Sequence, residues 1–238
     1  MLAGYVARGV KAGVAAGVAF GLFVALVGDP LVGLAEGLAA GHDGAQGHPE
    51  TPFGAATSVA AGGLWGLVAG VCFGVAYYFS EPVLPGNGDT RGYLLAVAGF
   101  VTVAGAPWLV LPPRPAGTPQ PLGADVRLFW YGLMMVAGAF ACGLAVYAYS
   151  RVERRHGSPS ALAAAALPFG LLAVPALVAP AAPIETGIEG LVAVYRGVVG
   201  VGQLVLWGTL ASAHAWLCRR DDAATERGLR DAGLPRGD

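Results

Sequence analysis

Charged residues are absent from six long stretches of this chain, and that spacing constrains the fold more than any other feature. The uncharged windows are 17 to 30 residues long and cover residues 12–28, 51–80, 92–113, 128–150, 156–184 and 197–218. A helix needs about 20 apolar residues, within a range of roughly 17 to 25, to cross the hydrocarbon core of a bilayer. Only 12% of the residues are charged, against roughly 25% in soluble domains. The pattern predicts an all-α, polytopic integral membrane protein, a helical bundle embedded in lipid.

The predicted transmembrane domain occupies residues 1–218, and residues 219–238 form a charged tail. We place its six spans at about 6–28, 55–80, 92–112, 128–150, 159–181 and 197–218. The fifth span contains Pro168, Pro175 and Pro180. Because proline lacks a backbone donor and kinks a helix, we expect this fifth helix to be broken. The first span resembles a signal peptide in its charge and hydropathy pattern. Because five further spans follow it, an uncleaved helix is favoured.

The cationic residues divide unequally between the two sides of such a bundle. With the N-terminus inside, eleven of the 14 Lys and Arg residues lie inside, and three face outward: Arg114, Arg127 and Arg196. Cytoplasmic segments of membrane proteins carry an excess of Lys and Arg, so this orientation is favoured over its inverse. We expect a multi-pass protein of the cell membrane whose N-terminus, C-terminus and charged tail are cytoplasmic.

Glycine recurs every fourth residue along each of the first two spans. The first series is Gly9, Gly13, Gly17 and Gly21, and the second is Gly62, Gly66, Gly70 and Gly74, each displaced by 53 residues. Both runs end in an acid followed by proline, at Asp29-Pro30 and Glu81-Pro82. Small residues at this spacing let two helix backbones approach closely. The pattern indicates a packed antiparallel pair of helices, or a duplicated unit of the kind found in inverted-repeat transporters.

The first outer loop, residues 29–55, carries acids and histidines but no Lys or Arg. Its potential metal ligands are Glu36, His42, Asp43 and His48. Imidazole suits borderline metals such as Co²⁺, Ni²⁺ and Zn²⁺, and carboxylates can complete the coordination shell. The spacing matches no closed structural site, so we expect weak capture of a divalent ion at the entrance. The alternative is a solvated polar loop that binds no metal.

One histidine lies at membrane depth, within the last span. His214 stands in the run Ala213-His214-Ala215-Trp216, about one turn from the inner boundary. Ionisable residues are costly at that depth and usually face a cavity or the interior of the bundle. His214 is therefore a candidate exit-side metal ligand or proton acceptor. Alternatively, it is an interfacial histidine beside Trp216 in the aromatic belt.

The rest of the sequence indicates no catalytic, nucleotide-binding or nucleic-acid-binding function. The sequence has no GxxxxGK[ST], HExxH or GxSxG motif, so we expect neither an enzyme nor an ATP motor, and no bound cofactor. The net charge of −1 comes without a basic patch, which excludes nucleic acid as an expected partner. Cys72, Cys142 and Cys218 are expected to be small buried hydrophobes. Met134 and Met135 are either core packing or soft thioether contacts.

Several short segments, which follow one another in the same order, resemble the CbtA family of predicted cobalt transporter subunits, and in particular its archaeal branch. The resemblance covers roughly residues 5–218. The words that carry it are Gly21-Leu22-Phe23-Val24-Ala25-Leu26-Val27-Gly28-Asp29-Pro30-Leu31-Val32-Gly33-Leu34-Ala35-Glu36, Phe73-Gly74-Val75-Ala76-Tyr77-Tyr78, Pro107-Trp108-Leu109-Val110-Leu111-Pro112-Pro113, Tyr131-Gly132 and Met134-Met135-Val136-Ala137-Gly138.

This resemblance implies an integral membrane subunit for cobalt uptake, paired with a small His-containing membrane subunit of the CbtB kind. Glu36, His42 and His48 map onto the family's acidic and histidine-bearing region. The family is usually described with about five spans, whereas this chain shows six windows. We therefore expect a metal-uptake subunit whose outer loop captures Co²⁺ and whose His214 lies near the inner exit. The alternative is a non-transporting membrane scaffold whose polar loop binds a partner protein.

Overall fold

The computed structural model describes residues 2–33, 52–115, 121–180 and 189–231, and these residues form six helices long and apolar enough to cross a membrane. The helices are α1 Leu2–Gly33, α2 Pro52–Ser80, α3 Gly88–Val110, α4 Ala124–His156, α5 Ser158–Val178 and α6 Glu189–Asp231. Within the described ranges no strand occurs. The prediction of an all-α, multi-pass membrane bundle with six helices is confirmed.

The outer surface of the bundle is apolar, which is what a lipid environment requires. Large apolar side chains point away from the protein on several helices, including Leu128, Leu167 and Leu177, the last of them 86% exposed. A water-soluble monomer rarely exposes contiguous apolar surface on this scale. The packed interior is instead rich in small residues such as Ala12, Ala16 and Ala211. The helices thus pack closely at their contacts and present their bulky side chains to the membrane.

Helices α1 and α2 pack antiparallel along their two glycine series. A Cβ atom added at any of these eight glycines would come within 3.0 Å of backbone atoms on the facing helix. At Gly74, for example, it would lie 2.6 Å from the carbonyl oxygen of Tyr5. Only glycine permits the two backbones to approach this closely. The prediction of a packed antiparallel pair is confirmed.

The two ends of this helix pair are closed in the same way. At one end, the hydroxyl of Ser58 on α2 donates to Asp29 Oδ2 on α1 (2.6 Å). At the other, the hydroxyl of Tyr5 on α1 donates to Glu81 Oε2 after α2 (2.5 Å). Tyr5 and Ser58 are separated by 53 positions, which is the displacement between the glycine series, and the two acids each precede a proline. The contacts therefore extend the internal likeness between α1 and α2 beyond the glycines.

Proline explains why three of the helices depart from regular α geometry. Helix α1 widens into a π turn at Val24–Gly28 just before Pro30, and α3 does so at Val101–Gly105 just before Pro107. Proline has no N–H and its ring collides with the carbonyl four residues earlier. In α3 that carbonyl belongs to Val103, and it accepts a hydrogen bond from the hydroxyl of Tyr131 (2.9 Å). The donor comes from α4, so the local irregularity also ties two helices together.

Helix α5 is broken as expected. Its α-helical first part, Ser158–Ala166, passes into a tighter 3-10 segment, Leu167–Leu172, before α-helical geometry resumes at Ala173–Val178. Pro168 lies at the start of the 3-10 segment and cannot donate a backbone hydrogen bond within the helix. A sharp turn at Gly157, whose φ of 79° suits glycine, separates α5 from α4.

Helix α6 packs against α1 and α3 and continues past the predicted boundary at residue 218. It remains one helix through to Asp231. Two ion pairs hold the first turn beyond the boundary against the bundle: Arg219 with Asp89 (2.6 Å) and Arg8 with Asp221 (3.2 Å). Residue 218 is therefore not a break in the helix, and residues 232–238 lie outside the described ranges.

Candidate metal-binding site

His214 lies in the interior of the bundle, where α6 faces α2 and α3. Its side chain is fully buried, with an exposed fraction of 0%. The imidazole packs against Tyr77 (ring centroids 4.6 Å apart) and Phe73 (5.2 Å), both on α2. Helix α3 approaches through Gly92, where an added Cβ would lie 3.6 Å from His214 Nδ1. The histidine thus lies in an aromatic and glycine-lined setting that excludes solvent.

The side chain of His214 does not share the exposed face of α6 that carries Trp216. Trp216, two residues later, is 52% exposed, and the guanidinium of Arg220 lies over its ring at 5.4 Å from the centroid. Residues two apart on an α-helix point in roughly opposite directions, at about 100° per residue. Trp216 therefore occupies the lipid-facing side of α6, and His214 occupies the packed side.

The hydrogen bonding of His214 is incomplete. Its Nδ1 lies 3.7 Å from the sulfur of Cys218, one turn further along α6. Its Nε2 is buried and has no hydrogen-bond partner among the described residues. A buried polar atom left without a partner costs about 1–3 kcal/mol. Such an atom in a native structure calls for an explanation, and a ligand that binds there is one.

Beyond His214, a group of charged and polar side chains closes the end of the bundle at which α1 begins, hereafter the N-terminal end. Arg8 on α1 donates through Nη1 to the sulfur of Cys218 (3.4 Å) and pairs through Nε with Asp221 (3.2 Å). The same guanidinium lies over the ring of Tyr5, 5.0 Å from its centroid. Tyr5 in turn contacts Tyr77 and donates to Glu81. Arg8 therefore contacts α6 directly and is linked to α2 through Tyr5.

The structure tests some of the other candidate residues and not others. Glu36, His42, Asp43 and His48 lie outside the described residues, so the loop's role in metal capture stays a prediction. Met134 is fully buried in a cluster with Ala106 and Leu172, so core packing, the first of its two alternatives, is confirmed. The expectation for cysteine is wrong for Cys72, which is exposed on the apolar surface of α2. It is also incomplete for Cys218, which contacts Arg8 and His214.

A cavity of about 590 Å³ lies at the opposite end of α3 from His214. Its lining includes Arg114, Arg127 and Tyr131, and Arg196 lies nearby, where its Nε donates to the carbonyl of Pro113 (3.2 Å). The three arginines predicted to face outward thus gather at one end. A guanidinium has no acceptor atom and stays charged, and the described lining contains no His, Cys, Asp or Glu. We exclude it as a metal site.

Among the described ranges, no three His, Cys, Asp or Glu side chains converge as a ready metal site. Sequence reasoning identified His214 because it is ionisable at membrane depth, but it missed Cys218 and Asp221. These three residues recur at i, i+4 and i+7, which places them along one face of a helix. That spacing could have been read from the sequence. The position of Arg8 beside two of them could not, because it depends on how α1 packs against α6.

Comparison with known proteins gives one match. A family model described as "Probable cobalt transporter subunit (CbtA)" matches residues 2–219, which include the first five membrane helices and the sixth as far as Arg219. No curated protein and no solved structure was found to match the chain.

Proposed function

Because the chain belongs to the CbtA family of probable cobalt transporter subunits, we propose that it is the membrane subunit of a transition-metal uptake transporter with Co²⁺ as the transported ion. Membership of a transporter-subunit family points to a non-enzymatic role. The word subunit implies partner proteins, and we propose a small His-containing membrane protein of the CbtB kind as one of them.

The observation that carries this proposal is the buried imidazole of His214 within an otherwise apolar bundle. Its Nε2 atom has no partner among the described residues, and neutral imidazole is a common ligand of borderline first-row metals. A polar atom left unpaired at membrane depth is energetically costly, so it is expected to have a functional role. Transient binding of a metal ion gives it one. A purely structural histidine would be expected to have both ring nitrogens hydrogen-bonded.

We further propose that the outer loop raises the local concentration of the ion before it enters the bundle. Glu36, Asp43, His42 and His48 supply negative charge and exchangeable ligands in a loop that has no Lys or Arg. Clustered charge of one sign increases the encounter rate of an oppositely charged substrate by about 10- to 1,000-fold. The unequal distribution of cationic residues supports an outside location for this loop and a cytoplasmic location for both termini.

The loop can be tested by removing its ligands together. We expect the triple variant Glu36→Ala, His42→Ala, His48→Ala to insert normally and to take up Co²⁺ about tenfold more slowly at low metal concentration, at the lower end of the range expected for electrostatic steering. The reason is that the ion is no longer concentrated at the entrance. Initial uptake of radioactive Co²⁺ into vesicles containing the purified chain measures this. The difference should narrow at high ionic strength, because salt screens exposed charges.

The double variant Glu153→Ala, His156→Ala is the matched control, because it removes an acid and a histidine from the end of α4 that we assign to the cytoplasm. It should take up Co²⁺ at the parental rate. An equal loss in both variants would remove the loop from the mechanism. If vesicles with the parent chain take up no Co²⁺, and vesicles that also contain its partner subunits take up none either, the alternative function of a non-transporting membrane scaffold is favoured.

A further inference from the structure

We propose that the cavity at the opposite end of α3 from His214, hereafter the arginine cavity, binds a phosphate group, and that this phosphate is the headgroup of an anionic phospholipid in the surrounding membrane. The cavity has a volume of about 590 Å³, and Arg114, Arg127 and Tyr131 are among its lining residues. Pockets of roughly 300–1,000 Å³ hold small organic ligands, so a lipid headgroup is within its capacity. Lipid binding here does not depend on which ion the bundle transports.

The first support is the charge of the cavity lining. Arg114 and Arg127 are its charged side chains, and Asp125, two residues before Arg127, is not among the described lining residues. Arg114 has a further interaction within the chain, but a guanidinium carries five N–H donors, so one partner leaves other donors for a ligand. Arginine binds phosphate through two parallel N–H···O bonds. The lining therefore favours an anion, and a phosphate suits its donors.

The second support is that arginines distant in the chain meet at this end of the bundle. Arg196, near the start of α6, donates through Nε to the carbonyl of Pro113 (3.2 Å), the residue before Arg114. Together with Arg127, these are the three cationic residues counted on the outer side in the orientation that we propose, where Lys and Arg are less frequent. Scattered surface charges have no reason to converge, whereas a shared anionic ligand supplies one.

The third support is the apolar part of the lining, which identifies the source of the phosphate. Val110, Leu122 and Leu128 also line the cavity. Leu128 is 73% exposed and Phe129 beside it is 63% exposed, so this side of α4 faces the acyl chains. A free phosphate ion would lose hydration beside these side chains and gain no apolar contact in return. A phospholipid places its phosphate beside the arginines and its chains along Leu128 and Phe129.

Tryptophan residues indicate that the cavity lies at the level of the lipid headgroups. Trp130 follows Arg127 by three residues in α4, and Trp108 precedes the lining residue Val110 by two in α3. Tryptophan is enriched where a membrane meets water. Arg127 lies in the first turn of α4, and its long side chain can keep its stem among apolar groups while its guanidinium reaches the headgroups. The arginine cavity is thus at the depth where a lipid carries its phosphate.

A lipid titration of the full chain tests the arginine cavity. The protein in a neutral detergent is titrated with phosphatidylglycerol, which carries one net negative charge, and bound lipid is counted by native mass spectrometry. In the double variant Arg114→Gln, Arg127→Gln, we expect the dissociation constant of the tightest-bound lipid to rise at least about tenfold, because each arginine near a membrane surface contributes about fivefold to binding. Phosphatidylglycerol should also raise the unfolding temperature of the parent more than that of the double variant, since a ligand of the folded state stabilises it.

The control variant is Arg151→Gln, Arg155→Gln, which removes two exposed arginines from the opposite end of the same helix. It changes the net charge by the same amount and should bind phosphatidylglycerol as tightly as the parent. Arg127→Lys keeps the charge but loses the two-pronged geometry, so its affinity should fall between those of the parent and Arg127→Gln. An equal loss of affinity in both double variants would show diffuse attraction to anionic lipid and would overturn the proposal.

Two further titrations of the parent identify the source of the phosphate. Phosphatidylcholine has the same phosphodiester but no net charge and should bind several-fold more weakly than phosphatidylglycerol; equal binding of the two lipids would overturn the proposal. Inorganic phosphate alone should leave the unfolding temperature unchanged. If it stabilises the parent and phosphatidylglycerol does not, the cavity takes a free anion and the lipid assignment is overturned.

A single substitution decides the matter if the double variant cannot be recovered as folded protein. Arg127 is exposed, so Arg127→Gln should fold like the parent. A loss of about fivefold in affinity for phosphatidylglycerol supports the arginine cavity as the lipid site. Unchanged affinity overturns it.

Discussion

Gly66→Ala should prevent α1 and α2 from packing, and the purified protein should be recovered in low yield or unfold far more easily than the parent. A methyl group at this position would collide with the carbonyl oxygen of Gly13 and the Cα of Gly17 on the facing helix. Overpacking a core of flexible side chains costs about 1–3 kcal/mol. Here the colliding atoms are backbone and cannot rotate away, so the cost should reach or exceed the upper end of that range.

Gly63→Ala is the matched control for this prediction. It lies three residues earlier on the same helix, and an added Cβ there meets no atom within 4 Å. Both substitutions gain the same helix propensity, up to about 1 kcal/mol in favour of alanine. Gly63→Ala should therefore be as stable as the parent or slightly more stable. Thermal unfolding of the three proteins in one detergent measures the difference, and equal stability of all three would refute the close backbone contact.

His214→Leu should abolish most transport while leaving the fold as stable as the parent or more so. Leucine fills a similar volume between Phe73 and Tyr77 and removes the buried Nε2 atom that lacks a partner among the described residues. The loss of that atom should recover part of the roughly 1–3 kcal/mol that an unsatisfied buried group costs. The metal ion, however, loses its ligand in the bundle, so the uptake rate should fall at least about tenfold, equivalent to about 1.4 kcal/mol.

The measurement combines two readouts on the same preparations, unfolding temperature and initial Co²⁺ uptake. If the unfolding temperature stays the same or rises while uptake falls, His214 has a functional role. Replacing a purely structural histidine would lower both stability and uptake. His156→Leu serves as the control, since His156 is an exposed histidine at the end of α4. A His214→Leu protein that transports normally would show that the ion does not use this imidazole.

Much of the fold could be predicted because lipid imposes simple rules on sequence. Six uncharged windows correspond to six helices, and Pro168 accounts for the irregular segment in α5. The glycine series predicted the α1–α2 pair, because spacing of four on two helices specifies both the face and the close contact. The π turns before Pro30 and Pro107 have the same proline chemistry as their cause and could have been anticipated as well.

The site was harder to predict because Arg8 lies far along the chain from the α6 residues that it contacts. Arg8 and Cys218 are separated by 210 positions, and nothing in either neighbourhood indicates the other. The apolar residues of α6 surround the helix on all sides, so the sequence could not show whether His214 or Trp216 faces the interior. The predicted loop ligands Glu36, His42, Asp43 and His48 lie outside the described residues and stay predictions. Sequence reasoning thus identified His214 and missed both Cys218, which contacts it, and Arg8, which contacts Cys218.

The most direct measurement is the accumulation of radioactive Co²⁺ in vesicles that contain the parent chain in a known orientation, with a membrane potential negative inside. We expect uptake that saturates with Co²⁺, exceeds that of protein-free vesicles and persists in excess Mg²⁺, because imidazole favours transition metals over hard cations. Uptake that matches protein-free vesicles, with or without the partner subunits, would contradict the assignment of a metal pathway to this bundle.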